Sequence, residues 1–168
     1  MNRFCFISLF IMISLQSVAA QISLEKLESI YIFKMISLIK KQEKQISFQY
    51  FKLCVFKDDV LLGHMKEVYS GKKIRDLEIK TVEITNLKKA DTCNVIIIGK
   101  ESGDIDEFFK FISSKLLITK NQKHFDKTMI LFKIKKKKLV FDINYKLADI
   151  NGFNISTRLL RLADKVKK

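Results

Sequence analysis

Two arginines near the carboxyl terminus have the type and spacing to bind an anion. Arg158 and Arg161 stand three residues apart in a segment that predicts a helix, so they share one of its faces. Two guanidinium groups on one face can hold a carboxylate or phosphate through paired hydrogen bonds. The favoured interpretation is structural, with Arg158 paired to an acid such as Asp142 and Arg161 solvated. Ligand binding by Arg158 and Arg161 is the alternative hypothesis.

The histidines give little support to an enzyme. The chain has two, His64 and His124, and they lie on unrelated segments, so each is expected to be an ordinary surface or helix residue. The sequence has no His and Cys cluster at zinc spacing, no GxSxG motif and no glycine-rich phosphate loop. We therefore predict that the protein is not an enzyme, that it needs no cofactor and that it holds no metal.

A pair of aspartates raises one sharper idea. Asp58 and Asp59 follow an apolar run, as the acidic residues of a receiver-like metal pocket do. Such a pocket also needs a carboxylate after the third strand, where this chain has Gly99 and Lys100. A helix cap is the better interpretation of the two aspartates.

Two cysteines lie in apolar runs that predict strands. Cys54 is in the run 51–56 and Cys93 is in the run 92–98. Cys5 lies in the amino-terminal apolar run, so the chain after that run has two cysteines. An even number in an oxidising compartment suggests a disulfide, and neighbouring strands would bring the two α-carbons within bonding range. Two buried free thiols are the alternative.

The amino terminus predicts export. Arg3 precedes an apolar run, 5–15, which ends in the small residues 17–20. This is the pattern of a cleaved signal peptide, residues 1–20, and the run is short for a membrane span. A buried helix or a membrane anchor is the alternative. The mature chain, 21–168, has the length of one domain and is expected in the periplasm.

The charge of the chain bears on its partners. The formal net charge is +14 at pH 7, which is compatible with nucleic acid, an anionic membrane or an acidic partner. Export argues against nucleic acid. The lysines are spread along the chain except at 135–138 and in the tail, and both runs are expected to be a solvated turn and a solvated tail.

The periodicity of the mature chain predicts an α/β fold. Helices are expected over 23–41, from 58 to 70, over 104–113, over 145–150 and from 156 onward through Val166, with a short helical link at 86–90. Strands are expected over 49–56, 77–84, 92–99 and 116–118, followed by a hairpin of 128–134 with 139–144. The pattern predicts a mostly parallel sheet with helices on both faces, a C-terminal antiparallel hairpin and a closing helix.

Several segments resemble one bacterial family in the order expected of it. They are Tyr31-Ile32-Phe33-Lys34, Cys54 before Asp58-Asp59, Gly71-Lys72-Lys73-Ile74-Arg75, Cys93 before 95–98, and the C-terminal stretch 139–163 that includes Ile155-Ser156-Thr157-Arg158-Leu159-Leu160-Arg161-Leu162-Ala163. Together they are similar to the YfiR-like family of periplasmic proteins, defined by a domain of unknown function. The chain departs from the family pattern at 39–41, at 126–127 and in lacking a second cysteine pair.

The resemblance implies a regulator. Its best-known member restrains a membrane-bound diguanylate cyclase, which makes cyclic-di-GMP, by acting on the cyclase's periplasmic sensor region, and redox state, small ligands and dimerisation are thought to matter. The expected partner is thus an inner-membrane sensor protein with a periplasmic domain, and a homodimer is expected too. The alternative is a periplasmic small-ligand-binding protein that serves an uptake or sensor-kinase system.

Overall fold

The computed structural model describes residues 22–41, 49–112 and 114–168. The predicted signal peptide and the predicted end of the third helix at Ser113 lie outside the described residues. The helices are α1 (Leu24–Ser37), α2 (Asp59–Tyr69), α3 (Phe109–Ile112), α4 (Tyr145–Ile150) and α5 (Thr157–Leu162), with 3-10 helices at Leu87–Thr92, Asp106–Phe108 and Gln122–Lys127. The strands are β1 (Ile39–Lys41), β2 (Phe51–Phe56), β3 (Lys73–Ile74), β4 (Leu77–Glu83), β5 (Val95–Ile98), β6 (Leu116–Thr119), β7 (Ile130–Lys135), β8 (Lys138–Asn144), β9 (Phe153–Ile155) and β10 (Lys165–Lys167).

The main sheet is mostly parallel, as predicted. Its strand order is β10-β8-β7-β6-β5-β2-β4-β3, and the strands from β7 to β4 in this order are all parallel. Numbered by their place in the chain, these strands have the doubly wound order 2-1-3-4-5. The hairpin of β7 and β8 is antiparallel, β10 runs parallel to β8, and β3 pairs antiparallel with β4. The carboxyl ends of β2, β5 and β6 therefore meet at one edge of the sheet.

Both faces of the sheet are covered. Alternate residues of each central strand point to opposite faces: Leu53 and Val55 enter a large apolar cluster with α1, α2 and α5, whereas Cys54 and Phe56 enter a smaller one that includes Ile112 of α3. The near-continuous apolar runs of β2 and β5 are thus explained by burial on two sides.

Side-chain caps begin the long helices where the sequence predicts them. The Ser23 side chain accepts from the Lys26 N–H at the start of α1, and the Asp58 side chain accepts from the Leu61 N–H at the start of α2. These bonds satisfy backbone donors that have no partner inside the helix. The interpretation of Asp58 as a cap is confirmed.

Two helices are shorter than predicted, for the same physical reason. The α1 helix ends at Ser37 rather than near Lys41, because residues 39–41 pair as a strand with β9. The last helix ends at Leu162, because the Asp164 N–H donates to the Phe141 carbonyl and the chain continues as a strand beside β8. Strand pairing with a distant segment therefore determines where both helices end, and the helical periodicity of the sequence does not reveal such pairing.

The buried face of α1 also differs from the prediction. Ile32, Met35 and Ile36 are its buried apolar residues, whereas Leu24 and Tyr31 are each 38% exposed. The helix is rotated relative to the stripe expected from the periodicity. This rotation places Tyr31 on the wall of a surface groove.

Candidate functional site

The two predicted cysteines form a disulfide across the middle of the fold. Cys54 belongs to β2, and Cys93 lies two residues before β5, the parallel neighbour of β2. Their α-carbons are 5.9 Å apart, inside the range that a disulfide requires. Each cysteine is 1% exposed, so the bridge belongs to the core and is shielded from attack by an external thiolate.

The predicted arginines are separated by the structure. Arg158 lines a groove of about 410 Å³ between α1 and α5, whereas Arg161 does not line it. Both side chains are exposed. The suggested partner Asp142 instead pairs with Lys133 on the neighbouring strand. Within the described residues, Arg158 makes no hydrogen bond or ion pair, so the structural pairing favoured above is wrong.

The groove combines positive charge with an apolar floor. Lys34 and Tyr31 of α1 face it beside Arg158, and Met35 and Phe141 contribute apolar surface. Its volume is within the range of small-molecule sites. The arrangement suits a ligand with an apolar body and a carboxylate or phosphate, since an unpaired guanidinium can bind such a group with two parallel hydrogen bonds.

Polar contacts with α2 and the sheet hold α1 in place. The Tyr69 hydroxyl donates to the Ser29 carbonyl over 2.5 Å, and the Lys26 ammonium lies 2.6 Å from a Glu67 oxygen. His64, on the exposed side of α2, lies 3.2 Å from the Ser23 hydroxyl. His64 is thus an ordinary helix residue, as expected, and it helps to position the wall of the groove.

A buried ion-pair cluster, which is not among the sequence-based predictions above, lies at the carboxyl edge of the sheet. The Lys120 ammonium, just after β6, is 2.7 Å from Glu28 Oε2 of α1 and 3.0 Å from Asp58 Oδ2 after β2. Burial raises the pKa of Glu28, and the bond and charge of Lys120 only partly oppose this. Burial alone would lower the pKa of Lys120, but the two carboxylates raise it overall.

This cluster explains why a receiver-like acidic pocket is absent. The strand order is compatible with one, but the ammonium of Lys120 lies between the two carboxylates. A side chain at Gly99 would also place its Cβ 2.0 Å from the Lys57 carbonyl oxygen, so a carboxylate does not fit at position 99. No set of three or more metal-ligating side chains occurs in the described part of the chain.

A Ser–His contact near the same edge resembles a nucleophile and its base. His124 Nε2 is 3.0 Å from the Ser102 hydroxyl oxygen, and the Thr128 hydroxyl donates to the His124 carbonyl. However, Ser102 is 2% exposed and His124 is 5% exposed, so a substrate cannot reach them in this conformation. The contact fastens the loop after β5 to the 3-10 helix after β6. His124 lies in a 3-10 helix, as the expectation of a surface or helix residue allows, but it is buried rather than exposed.

Comparison with known proteins identifies the family. A family model described as YfiR/HmsC-like matches residues 25–164. The chain belongs to the YfiR/HmsC-like family. None of the curated proteins matches it. The matched range contains the groove, the disulfide and the ion-pair cluster. In residues 22–41, 49–112 and 114–168, no helix combines the length and hydrophobicity needed to cross a membrane.

Proposed function

We propose that this YfiR/HmsC-like protein is a non-enzymatic periplasmic regulator, which senses envelope conditions and inhibits a membrane-bound signalling partner such as a diguanylate cyclase. Family membership supports a periplasmic regulator, and a core disulfide suits an oxidising compartment. The observation that carries the proposal is the groove, because Arg158 faces it without a partner among the described residues.

The groove gives the regulator a place to sense a ligand. One wall comes from α1 and the other from α5, so an anion held by Lys34 and Arg158 would bridge two helices. A ligand shifts a conformational equilibrium only by binding one arrangement more tightly than another. Bridging supplies that difference, since a change in the spacing of the helices changes how well both cations reach one anion.

The partner can be sought by site-specific photo-crosslinking in the cell of origin. Leu162, which is 64% exposed at the rim of the groove, is replaced by a photoreactive residue. Val60, which is 62% exposed on α2, serves as the matched control. We expect an inner-membrane protein with a periplasmic sensor region to be captured from position 162 and not from position 60. Equal capture of such a protein from both positions, or its capture from neither position, would contradict the regulator proposal.

The second candidate function is a periplasmic small-ligand-binding protein for an uptake or sensor-kinase system. The groove's volume and its apolar floor favour it. Benzoate and phenyl phosphate are suitable probes in an NMR titration. A hydrogen bond to a charged group contributes about 1.5–3 kcal/mol, so Arg158→Ala should weaken binding by about ten- to a hundredfold. Arg161→Ala is the matched control and should leave it unchanged. Probe binding that survives Arg158→Ala would exclude this site.

We also propose that the protein forms a homodimer and has no role in binding nucleic acid. The dimer rests on the family resemblance, and sedimentation velocity across a range of protein concentrations tests it. A single species with the mass of one chain at every concentration would exclude the dimer.

A further inference from the structure

The tip of the β7–β8 hairpin has a backbone that disfavours the residues it carries. Lys135 pairs with Lys138, and Lys136 and Lys137 form the two-residue turn between them. Both turn residues have positive φ, 48° and 63°. Such turns strongly prefer Asn-Gly or Asp-Gly, because a side chain in the left-handed region is strained. Like charges directly opposite each other on paired strands add repulsion.

A second turn with positive φ, between β3 and β4, carries residues that are explained by contacts inside the protein. Arg75 and Asp76 join β3 to β4, also with positive φ. There the Arg75 guanidinium donates to the Ile39 carbonyl and lies 5.9 Å from the centre of the Phe51 ring. These contacts within the fold explain why an arginine occupies this strained position. Lys136 and Lys137 are exposed and have no hydrogen bond or ion pair within the described residues. Nothing in the described part of the chain accounts for them.

The chemistry of the tip favours a diffuse anionic surface. Its four consecutive residues are all lysine, which carries a compact, hydrated point charge without the planar fork that arginine offers to a single carboxylate. Lys135 pairs with Asp164, so the charge available to an outside surface comes from the other three lysines. Protein interfaces are depleted in lysine and enriched in arginine and aromatic residues. The tip has no aromatic side chain on which a nucleic-acid base could stack. Ile134, which is 52% exposed beside the lysines, adds an apolar side chain to this surface.

We propose that the hairpin tip, residues 135–138, docks the protein on the surface of a membrane that contains anionic phospholipid. Each lysine held near such a surface contributes a small attraction that salt screens. The tip lies outside the set of residues that line the groove.

The test removes the charges without harming the fold. Lys136→Asn/Lys137→Gly installs the turn sequence that the backbone prefers, and unfolding in urea verifies that the variant is folded. Lys88→Gln/Lys89→Gln removes the same net charge from an exposed 3-10 helix. Binding is measured by co-sedimentation with phosphatidylcholine vesicles, with and without phosphatidylglycerol.

We expect wild type to bind only the vesicles with phosphatidylglycerol, and to release them at high salt. At about a tenfold change for each 1.4 kcal/mol, loss of two lysines should weaken binding by about 30-fold. The Lys88/Lys89 variant should bind like wild type. Equal loss in both variants would mean that net charge alone attracts the protein, and would overturn the docking site. If wild type does not bind the vesicles, the docking proposal is also overturned, and this outcome includes a tip that binds an acidic protein instead of a membrane.

Discussion

Removal of the Cys54–Cys93 bridge should strongly destabilise the protein. The cysteines are 39 residues apart in sequence. In the chain-entropy treatment, a cross-link of that length restricts the unfolded chain enough to stabilise the fold by about 4 kcal/mol at 25 °C. Because small domains are typically stable by only about 5–15 kcal/mol, Cys54→Ala/Cys93→Ala should lose a large part of the total.

The measurement is unfolding in urea followed by circular dichroism. Wild type is compared with the double alanine variant and with wild type held in reductant, which keeps both sulfur atoms in the core. The reduced protein isolates the cross-link, and the alanine variant adds the loss of buried sulfur. We also expect a steeper dependence of the unfolding free energy on urea without the bridge, because the unfolded chain then exposes more surface. A loss below about 1 kcal/mol in the reduced protein would refute the entropic reasoning.

Burial of the bridge makes a separate kinetic claim. An attacking thiolate must reach a disulfide sulfur, and both cysteines are 1% exposed. Reduction under native conditions should therefore wait for local or global opening of the structure and should accelerate sharply as urea approaches the unfolding midpoint. Rapid reduction of the native protein would show that the bridge is accessible, and would favour a redox-sensing role.

Three further predictions concern the buried ion pair, the raised pKa of Glu28 and the strained turn. Lys120→Met should lower the free energy of unfolding by about 3 kcal/mol, because it leaves two buried carboxylates without their cation. Unfolding in urea checks this, with the exposed Lys123→Met as the control that should leave stability unchanged. Because burial raises the pKa of Glu28, the stabilising contribution of this residue is complete below the ordinary pKa of a glutamate and declines as pH rises through the pKa of the folded state. The unfolding free energy of wild type relative to Glu28→Gln should therefore fall from acidic to neutral pH. A difference that stays constant with pH would contradict the burial of Glu28. Lys136→Asn/Lys137→Gly should raise the unfolding free energy by about 1 kcal/mol, and a loss would show that the turn is not strained by its lysines.

Much of the fold follows from local patterns in the sequence. Apolar runs of strand length, bounded by polar residues, predicted the central strands, and the side-chain caps at Ser23 and Asp58 predicted the starts of α1 and α2. The disulfide could be predicted too, since both cysteines sit in or beside apolar runs. These features depend on a few consecutive residues, so periodicity and residue type report them.

The remaining features depend on contacts between distant segments. The short strands β1, β9 and β10 carry only three residues each, and pairing partners far along the chain stabilise them. The Glu28–Lys120 pair joins residues 92 positions apart, from the difference of their numbers. One local signal existed, because Glu28 lies four residues before Ile32, on the face that is buried. A carboxyl group in a buried stripe must be paired or neutralised, although nothing local identifies Lys120 as its partner.

The arrangement of these features assigns different tasks to the two faces of the sheet. The disulfide lies with the smaller apolar cluster on one face, and the groove lies on the other, between α1 and α5. In the regulator proposed above, movement of α1 would require Glu28, Lys26 and Ser29 to release their partners. The bridge joins β2 to the segment before β5 and involves none of these contacts, so in the proposed regulator a response of α1 would not require the bridge to change. A sensor needs that combination, since a ligand changes the conformation of a protein only where two arrangements are close in free energy.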